Sequence, residues 1–374
     1  MEDLTRKDAS DYGAVCQFML YLAETPLILA AFAVKFACGV MGAVLLLAVF
    51  VFLVSRLLLV GDPQIEGLQR ANKNLHRNAN AILYAHYALT LVSAIAVSFN
   101  DGFDLFRLTL FRRRSGQEPH DCGIFSMPAS IGVWCRLLTF CGNAGSCLTI
   151  AALAIERSYA TFYAKTYEKR GNKHLGLVLN LLCVALCVGI AGFIASSANF
   201  HRHLPMQSLT PEAVFPTAIV ADVLLGIEFF NAILFAILWL LNFVWKRHSN
   251  RIFATLTHKY QRKENMRSVS ILLPLAVLHL TISISSFLLT EVGTMGGRTN
   301  QEVLEIVITR DIYPLYLFLL PVYTLGYEFQ RRRVSNFERR QRHFAKRVSE
   351  MPHDQDGHFE MLNSMFDTKY DRRT

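Results

Sequence analysis

The residues of this chain with most scope for chemistry are charged side chains set inside long apolar runs. Arg136, Asp222 and Glu228 each interrupt such a run, and an acid abuts a base at Glu156-Arg157. An unpaired charge at mid-bilayer depth costs roughly 3 kcal/mol on insertion scales, so intramembrane charges face partners, water or ligands. Arg136 and Asp222 would neutralise one another if paired, tying two helices together; the alternative is that each sits separately in water. Arg136 is also a candidate ligand counter-ion. His86 and His279 fall in different apolar runs, where hydrogen-bonded packing is expected rather than metal ligation. No phosphate-binding loop, zinc-ligand spacing or His-Glu-X-X-His motif occurs, and no Ser/His/Asp set can be assembled. Neither an enzyme nor a cofactor is expected.

The elements that must position these groups are membrane helices. Of 374 residues, 52% are hydrophobic and 18% charged, against about a quarter charged in soluble domains. The mean hydropathy is +0.30. The apolar residues gather into blocks that match the roughly 20 residues needed to cross a bilayer. That excludes a soluble enzyme core, a disordered chain and a disulfide-rich secreted domain. Seven spans are expected near 27–59, 78–99, 129–155, 174–198, 217–245, 268–291 and 303–327, in an all-α bundle. The seventh is interrupted by Arg310 and Asp311. Lys35, inside the first, is expected to snorkel outward. Pro274, Pro314 and Pro321 each remove a backbone donor and would kink their helices; they are either hinges or simply tolerated in a membrane helix.

The net charge of +9 is accounted for by orientation rather than nucleic acid. With the N-terminus outside, the loops assigned to the cytoplasm carry 16 Lys and Arg, the other face nine, and the C-terminal tail a further eleven. The positive-inside rule therefore puts the N-terminus outside and the C-terminus inside. Arg112–Arg114 is the dissenting cluster on the outer side. The expected organisation is an extracellular segment at 1–26, the bundle at 27–328 and a disordered cytoplasmic tail at 351–374. Between them, 329–350 reads as a basic amphipathic helix against inner-leaflet lipid, with Phe329 and Phe337 on one side. No internal repeat supports a transporter.

Several short stretches, in order, resemble a known family. They are Cys16-Gln-Phe-Met, Leu75-His-Arg-Asn78, His120-Asp-Cys122, Cys135-Arg136, Glu156-Arg157, Ala160-Thr161 and Tyr167-Glu168-Lys. The most specific is Leu256-Thr-His-Lys-Tyr260-Gln-Arg-Lys-Glu264-Asn265, and Tyr313-Pro314-Leu-Tyr316 completes the set. Together they resemble the nematode serpentine chemoreceptors of the Sra superfamily, most closely the Srab group, over nearly the whole chain. The resemblance implies a seven-transmembrane G-protein-coupled receptor in the plasma membrane of chemosensory neurons, at sensory cilia. It would detect an environmental chemical and activate a heterotrimeric G protein. One departure is visible: where the family often has a Cys before the fifth span, this chain has Phe215-Pro216-Thr217-Ala218. The anchoring of the loop between spans four and five is thereby in doubt.

Specific expectations follow for the residues. The ligand pocket should draw on Arg136, Asp222 and Glu228, with Tyr313 and Tyr316 as aromatic lining. Glu156, aided by Glu264, should hold Arg157 in a closed state, and Tyr260, Lys263 and Arg267 should line the coupling groove. Of eight cysteines, Cys16, Cys122 and Cys135 lie on or near the oxidising face; a Cys16–Cys122 bridge is expected, with Cys135 free. The rival readings are a ligand-gated channel or small-solute transporter, and an accessory protein that helps receptors traffic.

Overall fold

A computed structural model describes residues 15–58, 77–114, 125–163, 174–201, 203–204, 206, 209–249, 256–294 and 300–350. The expected tail at 351–374 lies outside the described residues. Seven helices among those described are long and apolar enough to cross a membrane. They are Pro26–Phe52, Asn78–Arg113, Ala129–Phe162, Leu175–Ser196, Glu212–Trp245, Asn265–Glu291 and Glu305–Gln330, and they are called spans one to seven below. Each turns Leu, Val, Ile and Phe outward, as in span four, where Leu177, Leu181, Leu182, Val184 and Val188 are all exposed. In water that would be costly; against lipid tails it is neutral.

Contacts between spans fix their relative directions. Gly39 lies against Ser98 and Gly102 against Phe36, so spans one and two are antiparallel. His86 meets Thr149 and Asn100 meets Thr139, so two and three are antiparallel too. Span three pairs with span six through Ser146–His279 and Arg157–Ser268, again antiparallel. It runs parallel to span five, through Cys147–Leu224 and Thr161–Asn242. Span one runs parallel to span seven, through Lys35–Asp311 and Gly42–Leu317. The result is an up-and-down bundle with span three at its centre. Gly142 makes the closest approach, where a Cβ would fall 2.4 Å from that of Ser93. Small residues permit such backbone contact between membrane helices.

Three expectations are corrected. Span two does not stop at Phe99: its helix runs Arg77–Arg114. Asp101, Asp104 and Arg107, three residues apart, share one helical face and are buried. Arg107 is held by Asp104 at 2.8 Å and by the Phe125 carbonyl at 2.6 Å. Lys35 does not snorkel; it is 6% exposed and pairs with Asp311. Pro314 does not kink a helix interior. Span seven breaks at Asp311-Ile312 and restarts at Tyr313, which places Pro314 in a first turn, where its missing N–H costs nothing. Asp311 Oδ1 accepts the Tyr313 N–H at 3.2 Å, so this aspartate caps the restart. Pro274 and Pro321 do lie inside helices.

At the end of the bundle where span one begins, termed the proximal face, two elements fold over the top. A short apolar helix, Val15–Glu24, packs Met19, Leu22 and Ala23 with Leu108 and Phe111 of span two, Phe125, Met206 and Ile308. The loop between spans four and five is anchored by backbone. His203–Leu204 pairs antiparallel with Met127–Pro128, and Leu204 is buried with Ala129, Val133 and Ile194. Trp134 stacks on Phe200 beside it.

Two compact units divide the chain, Met1–Val322 and Tyr323–Thr374. In the second, helix continues to Glu350. Phe329, Val334 and Phe337 are exposed on it, and the Arg333 guanidinium lies 4.7 Å over the Phe329 ring.

Candidate functional site

The buried polar side chains of the first unit gather in three tiers along span three. The tier nearest the proximal face holds two cations and two carboxylates, drawn from four spans. Asp311 Oδ2 lies 3.3 Å from Lys35 Nζ and 3.8 Å from an Arg136 guanidinium nitrogen. Asp101, 4% exposed, stands within electrostatic range of all three. Arg136 is brought here by span two: Asn100 donates to the Cys135 carbonyl at 3.0 Å and to Thr139 Oγ1 at 2.7 Å. Arg136 and Asp311 remain partly open, at 29% and 25%. Arg136 therefore answers Asp311 rather than Asp222, which is exposed on the outside of span five. The pairing considered for Arg136 with Asp222 does not form.

About three turns deeper along span three lies a connected network. His279 Nδ1 is 3.0 Å from Glu228 Oε1, and its Nε2 is 3.1 Å from Ser146 Oγ. His86 Nε2 is 3.0 Å from Tyr316 Oη, and Nδ1 is 2.9 Å from Thr149 Oγ1. The Thr149 hydroxyl donates to the Gly145 carbonyl at 2.7 Å. The ring of His279 meets that of Tyr316 edge-on at 4.4 Å, and Tyr313 stacks beside Tyr316 at 6.0 Å. Both histidines are thus hydrogen-bonded packing residues. Of the five residues expected at a pocket, Glu228, Tyr313 and Tyr316 come together here, Arg136 stands in the tier above and Asp222 lies outside the group.

The third tier closes the far end. Arg157, 1% exposed, is gripped by both oxygens of Glu156 at 2.5 and 2.6 Å. It also reaches Ser268 Oγ at 3.2 Å and Asn265 Oδ1 at 3.4 Å on span six. Asn265 donates in turn to the Ala160 carbonyl at 3.0 Å, and Asn242 of span five donates to Thr161 at 3.4 Å. A charge so placed joins spans three and six through one guanidinium, and the Asn242–Thr161 bond adds span five beside it. Arg267 is exposed, and the side chains of Tyr260, Lys263 and Glu264 lie outside the described residues. Among the described residues, Asn265 and Ser268 supply the tie to span six.

Cys16 is disulfide-bonded, and Cys38, Cys135, Cys141, Cys147, Cys183 and Cys187 are free; Cys122 lies outside the described residues. Among the described residues no group of three or more His, Cys, Asp or Glu is arranged to hold a metal ion.

Sequence reasoning passed over Lys35, Asp101 and Asp311 as site residues. Two signals were available: the three-residue spacing of Asp101, Asp104 and Arg107, and an aspartate three residues ahead of a proline, which marks a helix start. Asn265 ends the most specific of the family-like stretches, and no sequence signal singles out Ser268.

Compared with known proteins, residues 14–366 match the family model described as serpentine type 7TM GPCR receptor class ab chemoreceptor. Two curated relatives, both from Caenorhabditis elegans, are similar over part of their length. Serpentine receptor class alpha/beta-14 is 27% identical over 57% of this chain and 53% of its own. Serpentine receptor class beta-16 is 26% identical over 54% of this chain and 58% of its own. The chain spans little more than half the length of the curated relatives it matches.

Proposed function

Because the chain belongs to the serpentine class ab chemoreceptor family of seven-transmembrane G-protein-coupled receptors, we propose that it is a chemosensory receptor that binds an environmental small molecule and activates a heterotrimeric G protein. It is a multi-pass membrane protein with seven spans. Its N-terminus faces outward and its C-terminus inward, and it acts at the plasma membrane of sensory cilia. The helix at 329–350 lies on inner-leaflet lipid.

The observation that carries this reading is the grip on Arg157. One guanidinium is shared between Glu156 beside it and Asn265 and Ser268 across the interface. Parting of spans three and six would strip it of the span-six contacts. A charge-assisted hydrogen bond contributes about 1.5–3 kcal/mol, and a bias of that size moves a two-state equilibrium by tenfold or more. The polar tiers above connect to the same two spans through Ser146–His279, so a ligand that prefers one arrangement of spans five, six and seven shifts this contact too. Freed, Arg157 would meet the G protein, with Tyr260, Lys263, Glu264 and Arg267 around it.

The test is Arg157→Ala in cells that report G-protein activation. The variant should reach the surface and bind ligand normally while ligand-evoked activation disappears. Normal activation by a surface-expressed Arg157→Ala would overturn the assignment.

A further inference from the structure

In the middle tier the buried atoms that make no hydrogen bond among the described residues include Glu228 Oε2, Asn231 Nδ2 and Tyr313 Oη; His279 Nδ1 is another, and its neighbour is Glu228 Oε1 at 3.0 Å. Glu228, Asn231 and Tyr313 are 6%, 3% and 8% exposed. Glu228 and Asn231, three residues apart, share one face of span five, and Glu228 and Tyr313 both flank His279. Two other polar groups stand beside them without meeting the need. Cys147 gives its thiol proton to the Leu224 carbonyl at 3.5 Å, and Ser93 gives its hydroxyl proton to the Thr139 carbonyl at 3.4 Å. A carboxylate oxygen and an amide N–H left unsatisfied at this depth lose their water without gaining a partner, so the arrangement favours a guest that supplies one.

The missing partners define that guest. Glu228 Oε2 accepts and needs a donor, strongest if cationic. Asn231 Nδ2 donates and needs an acceptor about 5–6 Å away, the distance between side chains three apart on a helix. The rings of Tyr313, Tyr316 and His279 supply aromatic walls, against which an ammonium group is attracted. In the tier above, Lys35 and Arg136 are matched by Asp101 and Asp311, so those charges do not repel a cation overall.

We infer that the ligand is a small organic amine carrying an oxygen acceptor, its ammonium on Glu228 and Tyr313 and its oxygen on Asn231. This rests on the receptor reading above.

The test compares butylamine, aminobutanol, butanol and butyrate on cells expressing the full chain, with G-protein activation as the readout and surface staining for every variant. Aminobutanol should act at a concentration at least roughly tenfold below butanol, the ratio given by a charge-assisted hydrogen bond. Glu228→Gln should abolish that preference, and Asn231→Ala should remove the advantage of aminobutanol over butylamine. Should Glu228→Gln not reach the surface, Tyr313→Phe carries the test, expected to weaken both amines and spare butanol. Butanol or butyrate acting as well as the amines, unchanged by Glu228→Gln, overturns the amine inference and leaves the receptor reading intact. Silence to all four compounds overturns the amine inference as well. The receptor reading is then judged separately, by whether Glu156→Gln signals without ligand and Arg157→Ala does not.

Discussion

Lys35 Nζ stands 3.3 Å from Asp311 Oδ2, so the break in span seven is pinned by a cation from span one. The same carboxylate caps the helix that restarts at Tyr313. A single residue thus neutralises a buried lysine and sets where the lower half of span seven begins, and with it the placement of Tyr313 and Tyr316.

Removing the lysine alone should be harmful. Lys35→Ala leaves Asp311 with only the looser Arg136 contact, and breaking a buried pair from one side costs about 3 kcal/mol or more. The expected outcome is a marked loss of thermal stability in detergent, measured by fluorescence-detected unfolding. Lys35→Met combined with Asp311→Asn should recover most of it, because the asparagine still caps Tyr313. A double variant as unstable as Lys35→Ala would refute the charge-pairing account.

Two glycines separate packing from helix propensity. Gly142→Ala drives a methyl to within 2.4 Å of the Ser93 Cβ and should destabilise by about 1–3 kcal/mol through overpacking. Gly189→Ala meets nothing within 4 Å and should be neutral or slightly stabilising, by up to about 1 kcal/mol. Equal effects at the two sites, in the same unfolding assay, would contradict the packing of spans two and three.

Basal signalling should report the grip on Arg157. Glu156→Gln keeps the shape but loses the charge, and Ser268→Ala removes a contact to span six; both should raise activity without ligand, the first by several-fold and the second by less. Asn265→Ala should act in the same direction and add little to Ser268→Ala, since both restrain one guanidinium. Basal activity indistinguishable from the parent in all three would sink the restraint.

For the cysteines, non-reducing peptide mapping of surface-labelled protein should recover Cys16 joined to Cys122 and Cys135 alkylated. The structure has Cys16 bonded and Cys135 free. A peptide joining Cys16 to any other partner would remove the proposed bridge.

The spans were legible because hydropathy and length are properties of the chain itself, and the Glu156-Arg157 pair was legible because its two members are adjacent. Glu228, Tyr313 and Tyr316 were found as polar or aromatic groups in apolar runs. Partner choice was not legible. Arg136 was matched with Asp222, and the register set by Asn100 on Cys135 and Thr139 brings it to Asp311 instead. Lys35 was misplaced because a long side chain near a membrane boundary ordinarily bends to water, and only the neighbouring Asp311 makes burial cheaper. Span two was cut short because its unbroken apolar run ends at Phe99, and the burial of Asp101, Asp104 and Arg107 beyond it depends on partners the sequence does not reveal.

The clasp between Met127–Pro128 and His203–Leu204 has a consequence for how this surface can change. A loop tied by a cystine depends on two specific side chains and on an oxidising compartment. A loop tied by main-chain hydrogen bonds depends on neither, because every residue type brings the same carbonyl and nearly every one the same amide. Substitutions at His201, whose side chain is exposed, can then alter this surface without untying it, whereas the His203 side chain also meets Ser126 Oγ at 3.0 Å. The missing cysteine leaves a loop that closes before oxidation and tolerates mutational drift.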